Sequence, residues 1–367
     1  IFSLSINDQA VLLVSVSVVP SNIINVFRLL FQATGRFRQY SRVLLLDSIL
    51  RVISTVILIF VFQVTIAFFF MISLTLIQCV VALVILANAI DIFSVPRFEK
   101  LLSAERFDLI RSGLPIMLGN LSSMLFYSLD RWFVKILLRV EDFAYYSFAV
   151  SMMSMILILV ESVSATFYPM LSRRYTEISL LRTLKTYLLI LGTFAGTAYF
   201  GFDLIVNWIL TDYLPSLDVI AILFAGFPAI AVIKAIYVNT YKAQKVEKKY
   251  FLTVLGMLVA SFGLNALAVI INKSNWSIAA ATTIAFYFWF FFSSKDFKGT
   301  ETNPREMAYL LAFLIVFFST TRLLPWWLGL PLYLASILGI TLLFYKKEFM
   351  DLSSKIIGAF KIRSLPK

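Results

Sequence analysis

Long apolar runs separated by short polar clusters repeat along the whole chain. About twenty consecutive apolar residues cross a bilayer as one helix. The pattern predicts eleven such helices, at about 9–31, 43–62, 64–87, 112–138, 143–170, 184–209, 217–240, 250–271, 276–293, 306–324 and 327–345. One run departs from uniform apolarity. RSGLPIMLGNLSSMLFYSLDRWFVKILL, from Arg111 to Leu138, carries Asn120, Ser123, Tyr127, Arg131 and Lys135 at steps of three or four. On one unbroken helix those side chains share a face. Pro115 and Gly119 near its start are positions where a helix kinks or admits a neighbour.

The polar clusters alternate in charge. Six alternate connections hold 24 lysines and arginines, the intervening ones only Arg139, Lys273 and Arg322. By the positive-inside rule the first set is cytoplasmic, the C-terminus is cytoplasmic and the N-terminus of this chain is outside. This distribution accounts for the net charge of +12 without nucleic acid as a partner. The outer connections are only a few residues long, at Gln63, 139–142, 211–216, 272–275 and 322–326. They leave no room for an extracytoplasmic domain. Among the inner ones, PRFEKLLSAERFDLI (Pro96–Ile110) mixes apolar and charged positions as an interfacial helix does. In the tail, Phe349, Leu352, Ile356 and Phe360 form an apolar stripe among basic residues, which predicts a helix lying on the cytoplasmic leaflet.

Composition sharpens the class. The 367 residues are 60% hydrophobic and 14% charged, with a mean hydropathy of +0.91. These values predict an all-α polytopic membrane protein. There is no histidine and one cysteine, Cys79. That excludes an intrachain disulfide and removes the usual metal ligands, so no metal and no cofactor is expected. No Walker A sequence is present to power transport by ATP.

A weak internal repeat suggests two lobes. PSNIINVFRLLFQATGRFRQYSR from Pro20 and PAIAVIKAIYVNTYKAQKVEKKY from Pro228 share a proline, a basic residue within the helix (Arg28, Lys234) and a basic loop before another apolar helix. The first predicted helix then corresponds to the seventh, a period of six. The expected organisation is 1–95 as the last three helices of an N-lobe, 96–111 as an interfacial linker and 112–293 as a six-helix C-lobe. Residues 294–345 follow as two further helices and 346–367 as the basic tail. The first three helices or so of the N-lobe are expected to precede Ile1.

The charges within predicted helices are the candidate site. Arg28, Arg51, Arg131, Lys135 and Lys234 outnumber Asp47, Asp130 and Glu161. A cationic path suits an anionic cargo, because arginine and lysine make charge-assisted bonds to phosphate oxygens. Candidate substrate contacts are therefore Arg131, Lys135, Arg51, Tyr127, Asn120, Arg28 and Lys234. Candidate ion-coupling carboxylates are Asp130, Glu161 and Asp47, with H+ or Na+ as the coupling ion. Structural readings stand beside these. Asp130 can simply neutralise Arg131, Asp47 and Arg51 can pair at i, i+4, and Arg28, Lys234 and Lys135 can snorkel to an interface. Glu161 has no cation nearby in sequence.

GLPIMLGNLSSMLFYSLDRWFV and AYYSFAVSMMSMILILVESVSATFYPMLSRRY resemble the start of the second half of bacterial polysaccharide flippases. GRFRQYS at 35–41 resembles the loop after their fourth helix. Ala144 stands where that family has a glycine before the tyrosine. The family is that of Wzx-type O-antigen flippases within the multidrug/oligosaccharidyl-lipid/polysaccharide exporter superfamily. The resemblance implies a two-lobed, MATE-like exporter in the bacterial cytoplasmic membrane, moving undecaprenyl-diphosphate-linked glycan by alternating access. Polysaccharide assembly proteins are implied partners, and glycosyltransfer is not implied. Two other functions compete: a cation-coupled multidrug antiporter, and a membrane glycosyltransferase or polymerase. The first favours an acidic cavity; the second needs a sizeable outer loop.

Overall fold

The computed structural model describes residues 6–33, 35–57, 77–85, 104–174 and 177–363, and among them all regular structure is helical. The chain divides into two compact units, Ile1–Ser103 and Ala104–Lys367.

The first unit holds α1 (Ile6–Ala33), α2 (Phe37–Ile57) and α3 (77–85). Ile24, Phe27 and Phe31 of α1 recur at helical spacing and bury against Val81, Ala82 and Ile85 of α3. Ser21 Oγ donates to Gln78 Oε1 at 2.8 Å beside them. The predicted helices 43–62 and 64–87 fall partly outside the described residues.

The second unit begins with α4 (Ala104–Phe126), so residues 104–111 of the expected linker are its first two turns. Residues 96–103 lie outside the described residues. The predicted single helix 112–138 is broken. α4 passes through Pro115 and Gly119 and stops at Phe126, and α5 (Leu129–Leu137) starts after Ser128. Ser128 Oγ bonds back to the Met124 carbonyl at 2.9 Å and the Leu125 carbonyl at 3.3 Å, taking up the ladder there.

α6 (Val140–Arg174) follows, then α7 (Ile178–Ala195), α8 (Ala198–Trp208) and α9 (Ser216–Ala225). Next come α10 (Phe227–Val232), a π-helical turn (Ile233–Tyr237) and α11 (Val238–Ala243). α12 (Glu247–Ile271), α13 (Asn275–Ser294), α14 (Pro304–Leu323) and α15 (Trp326–Arg363) complete the unit.

Among the described residues, six stretches are long and apolar enough to cross a membrane: α6, α7 with α8, α12, α13, α14, and α15 as far as Lys355. A seventh is the pair Ser216–Ala225 and Phe227–Ala243, bent by 51°. The protein is an all-α polytopic membrane protein. The middle of the unit is this bent pair, not the polar stretch after Arg111. From Val219 to Tyr237 nearly every side chain is buried, and a helix apolar all round is one enclosed by other helices. Gly226 sits at the bend and Pro228 opens α10, where its missing N–H leaves no bond unmade. Gly192 of α7 lets the two chains touch. A Cβ there would lie 2.6 Å from Pro228 Cα.

The last two helices belong to the same unit. Thr193 Oγ1 and Tyr309 Oη lie 2.7 Å apart, Tyr309 Oη lies 3.2 Å from Thr341 Oγ1, and Tyr333 Oη donates to the Thr193 carbonyl. This buried hydroxyl chain ties α14 and α15 to α7. α15 kinks at Tyr345, where φ is −137° and ψ is 37°, at the predicted end of the last membrane span. Beyond the kink Phe349 stacks on Phe194 with ring centres 6.0 Å apart. Tyr187 hydrogen-bonds Asp351. Lys355 reaches Asp351 at 2.7 Å and Tyr187 Oη at 3.1 Å. Phe349 and Leu352, expected to face lipid, pack on protein. The side chains of Ile356 and Phe360 lie outside the described residues.

Candidate functional site

MILILVESVSATF of α6 places one carboxylate, Glu161, in an otherwise apolar stretch. Across from it the chain widens into the π-helical turn Ile233–Tyr237, which carries Lys234. Such turns leave carbonyls without their usual i+4 donors and recur at functional positions. Here the Lys234 carbonyl accepts from Ser164 Oγ at 3.0 Å. Asn239 Nδ2 bridges the Ala235 carbonyl at 3.0 Å and Ser164 Oγ at 2.9 Å. Ser164 of α6 and Asn239 of α11 therefore supply hydrogen bonds that the turn forgoes.

The turn aims Lys234 at α6. Its Nζ lies 2.7 Å from Glu161 Oε1 and 4.8 Å from the centre of the Tyr127 ring. Tyr127, Glu161 and Lys234 thus form one cluster. Glu161 does have a cation beside it, 73 residues away in sequence, and Lys234 is clasped rather than snorkelling. The side chains are 60% and 21% exposed, so the pair is open to a ligand. Tyr127 packs in a cage with Phe126, Phe286 and Trp289, at ring distances of 5.3–6.3 Å for Phe126–Phe286 and Tyr127–Trp289. Its hydroxyl and Trp289 Nε1 are buried without hydrogen-bond partners.

Asn120 continues this side of α4. Tyr250 Oη donates to Asn120 Oδ1 at 3.1 Å, and the Tyr250 ring fills the space above Gly119, where a Cβ would meet it at 2.4 Å. The break after Phe126 separates Asn120 and Tyr127 from the other candidates on α5. Asp130 is buried and takes two hydrogen bonds, from Tyr146 Oη at 2.8 Å and from the Arg131 backbone N–H at 2.7 Å. The Arg131 guanidinium does not clasp it. Its Nε is buried without a hydrogen-bond partner. Lys135 is exposed and sits 5.8 Å from the Trp132 ring centre; Arg131 and Lys135 remain four residues apart on the unbroken α5, and it is Tyr127 and Asn120 that no longer share their helix.

In the first unit the Arg28 guanidinium lies 5.9 Å from the Tyr40 ring centre. Asp47 is half-buried on α2. The Arg51 side chain lies outside the described residues. Among the described residues no group of three or more acidic, histidine or cysteine side chains could hold a metal.

Sequence reasoning missed Tyr146, Ser164, Asn239 and Tyr250. Only Asn239 carried a signal, a carboxamide in a buried helix one turn after a lysine. A second ion pair was also missed. Lys185, counted among the loop cations, is buried within α7 and lies 2.6 Å from Glu306 Oε1 of α14. Lys185 Nζ also donates to the Thr300 carbonyl at 2.7 Å.

Residues 3–174 match the family described as polysaccharide biosynthesis protein, a little under half of the chain. No curated protein and no solved structure matches. The matched span holds every candidate residue except Lys234, and over it the chain is similar to the polysaccharide biosynthesis protein family.

Proposed function

We propose that the protein is a flippase that moves undecaprenyl-diphosphate-linked oligosaccharide across the bacterial cytoplasmic membrane for cell-surface polysaccharide assembly. It acts as a transporter without catalysis, coupled to H+ or Na+, with its C-terminus in the cytoplasm. The observation that carries this reading is the Lys234–Glu161 pair against the Tyr127 ring. A cation within a helical unit is costly unless a counter-charge or a cargo needs it. A partly exposed ion pair contributes only about 0–1 kcal/mol. Charge-assisted bonds to phosphate oxygens are about twice as strong as neutral ones, so a diphosphate can displace Glu161 from Lys234. The released carboxylate then takes up a proton or Na+, which couples the ion to the cargo. Tyr127 holds the ammonium in place during the exchange through its ring face.

The test is transport of a fluorescent lipid-linked oligosaccharide by the intact protein in vesicles. Lys234→Ala should abolish it at unchanged protein level. Lys234→Arg should retain part, because the charge persists. Glu161→Gln should bind cargo yet lose its dependence on the ion gradient. Transport by Lys234→Ala at the wild-type rate would overturn the reading.

A further inference from the structure

A second basic feature lies at the end of the second unit where α4 begins and α11 turns into α12. The turn is short, Gln244–Val246, and holds Lys245 in the left-handed region at φ 55°. That conformation is one a non-glycine residue seldom adopts. It leads straight into Lys248 and Lys249 in the first turn of α12. Arg111, more than 130 residues earlier, closes the other side from α4. Together with Val246, Pro115 and Glu247 these residues line a cavity of about 460 Å³. Four cations thus face one carboxylate.

The positive-inside rule accounts for cations at this end of the helices but not for their convergence on one concavity from two elements. Lys249 is engaged by Asp296 at 2.9 Å. Among the described residues Arg111, Lys245 and Lys248 have no acidic partner, and all three are exposed. Glu247 sits in the first turn of α12, where the helix dipole already favours a negative charge. The cavity is therefore left with uncompensated positive charge.

The surface below the cavity indicates what kind of anion fits. α4 and α12 pack side by side. Leu114, Met117 and Leu121 on α4 and Leu252, Leu255 and Val259 on α12 are all exposed, at helical spacing that starts within a turn of the cavity. A ligand with a phosphate head and long apolar chains meets cations above and two apolar stripes beneath. A soluble phosphate uses only the first.

We propose that the concavity lined by Arg111, Lys245 and Lys248 binds the phosphate-bearing headgroup of a membrane lipid whose chains run along α4 and α12. This site is separate from the Tyr127–Glu161–Lys234 cluster and does not depend on the transport reading. The occupant is an anionic phospholipid of the bilayer, whose two acyl chains match the two exposed stripes, where a polyprenyl diphosphate has one chain.

The test is native mass spectrometry of the full chain in detergent, titrated in turn with phosphatidylglycerol, phosphatidylcholine and polyprenyl diphosphate. Each basic residue at an anionic lipid surface contributes roughly fivefold in affinity. Lys245→Gln with Lys248→Gln should therefore weaken binding of phosphatidylglycerol by about 30-fold. Arg111→Gln alone, on the opposite wall, should weaken it about fivefold and serves if the double variant unfolds. A loss confined to polyprenyl diphosphate would overturn the assignment. Lys346→Gln with Lys347→Gln removes the same charge from α15 and should leave binding unchanged. Lys234→Ala should leave phosphatidylglycerol binding unchanged, which separates this site from the transport site. An equal loss in the α15 control, or phosphatidylcholine binding as tightly as the anionic lipids, would overturn the proposal.

Discussion

Lys185 and Glu306 meet at 2.6 Å with side chains only 3% and 6% exposed. The pair joins α7 to α14, and the Lys185 ammonium also lies 4.9 Å from the Phe290 ring centre on α13. Removing one partner of a buried pair leaves the other charge stranded, at a cost of about 3–5 kcal/mol. Lys185→Met and Glu306→Gln should each lower the unfolding temperature in detergent sharply. The double variant Lys185→Met with Glu306→Leu should recover most of the loss, because two packed apolar side chains often replace such a pair at no cost. A double variant less stable than either single would show that the pair does more than hold the helices together.

Asp130 takes its bonds from Tyr146 and a backbone N–H. Tyr146→Phe removes one of the two hydrogen bonds to a buried carboxyl and should cost about 1–3 kcal/mol. Arg131→Gln removes no bond from Asp130, so its effect on stability should be small. Thermal unfolding of both variants decides this. A larger loss in Arg131→Gln than in Tyr146→Phe would restore the side-chain clasp.

Ser164 and Asn239 carry the hydrogen bonds of the π-helical turn. Asn239→Leu leaves the Ala235 carbonyl with one donor fewer and should cost about 1–3 kcal/mol. If the turn is what aims Lys234, Ser164→Ala with Asn239→Leu should also reduce transport while Lys234 itself is intact. The check is transport rate per folded protein, with folded protein measured separately.

Gly192 is a test of packing alone. Its added methyl in Gly192→Ala would press on the backbone of Pro228, which cannot swing aside as a side chain can. Overpacking of this kind costs typically about 1–3 kcal/mol. Gly201→Ala in α8, where a Cβ meets nothing within 4 Å, is the control and should be neutral or slightly stabilising.

The helices of the second unit were legible because apolarity over twenty residues is a one-dimensional property. The kink at Tyr345 falls where the last predicted span ends for the same reason. The break after Phe126 was not legible. Pro115 and Gly119 advertised a break that α4 passes through, whereas Ser128 makes one with no proline or glycine. Lys185 carried the wrong expectation because its local sequence, LLRTLKTYLL, reads as a helix edge beside a basic loop. Its burial is decided by Glu306, 121 positions later, and no periodicity within α7 reports that partner. The Tyr127–Glu161–Lys234 cluster joins three segments in the same way. Its members were picked out singly as charges or rings within apolar helices, but their association depends on packing.

The π-helical turn has a consequence for helical phase. Each residue advances an α-helix by about 100°, and a π-turn lodges one extra residue in the winding. Everything from Val238 onward is therefore rotated relative to an uninterrupted continuation of α10. That rotation lets Asn239 face Ser164 and Tyr241 face Asp296 while Pro228 faces Gly192 at the other end. Deleting one residue between Ile233 and Tyr237 would relax the turn to plain α-helix without altering hydropathy. It would nevertheless carry both side chains about a quarter-turn away from their partners. Along this segment, length is as strictly set as composition.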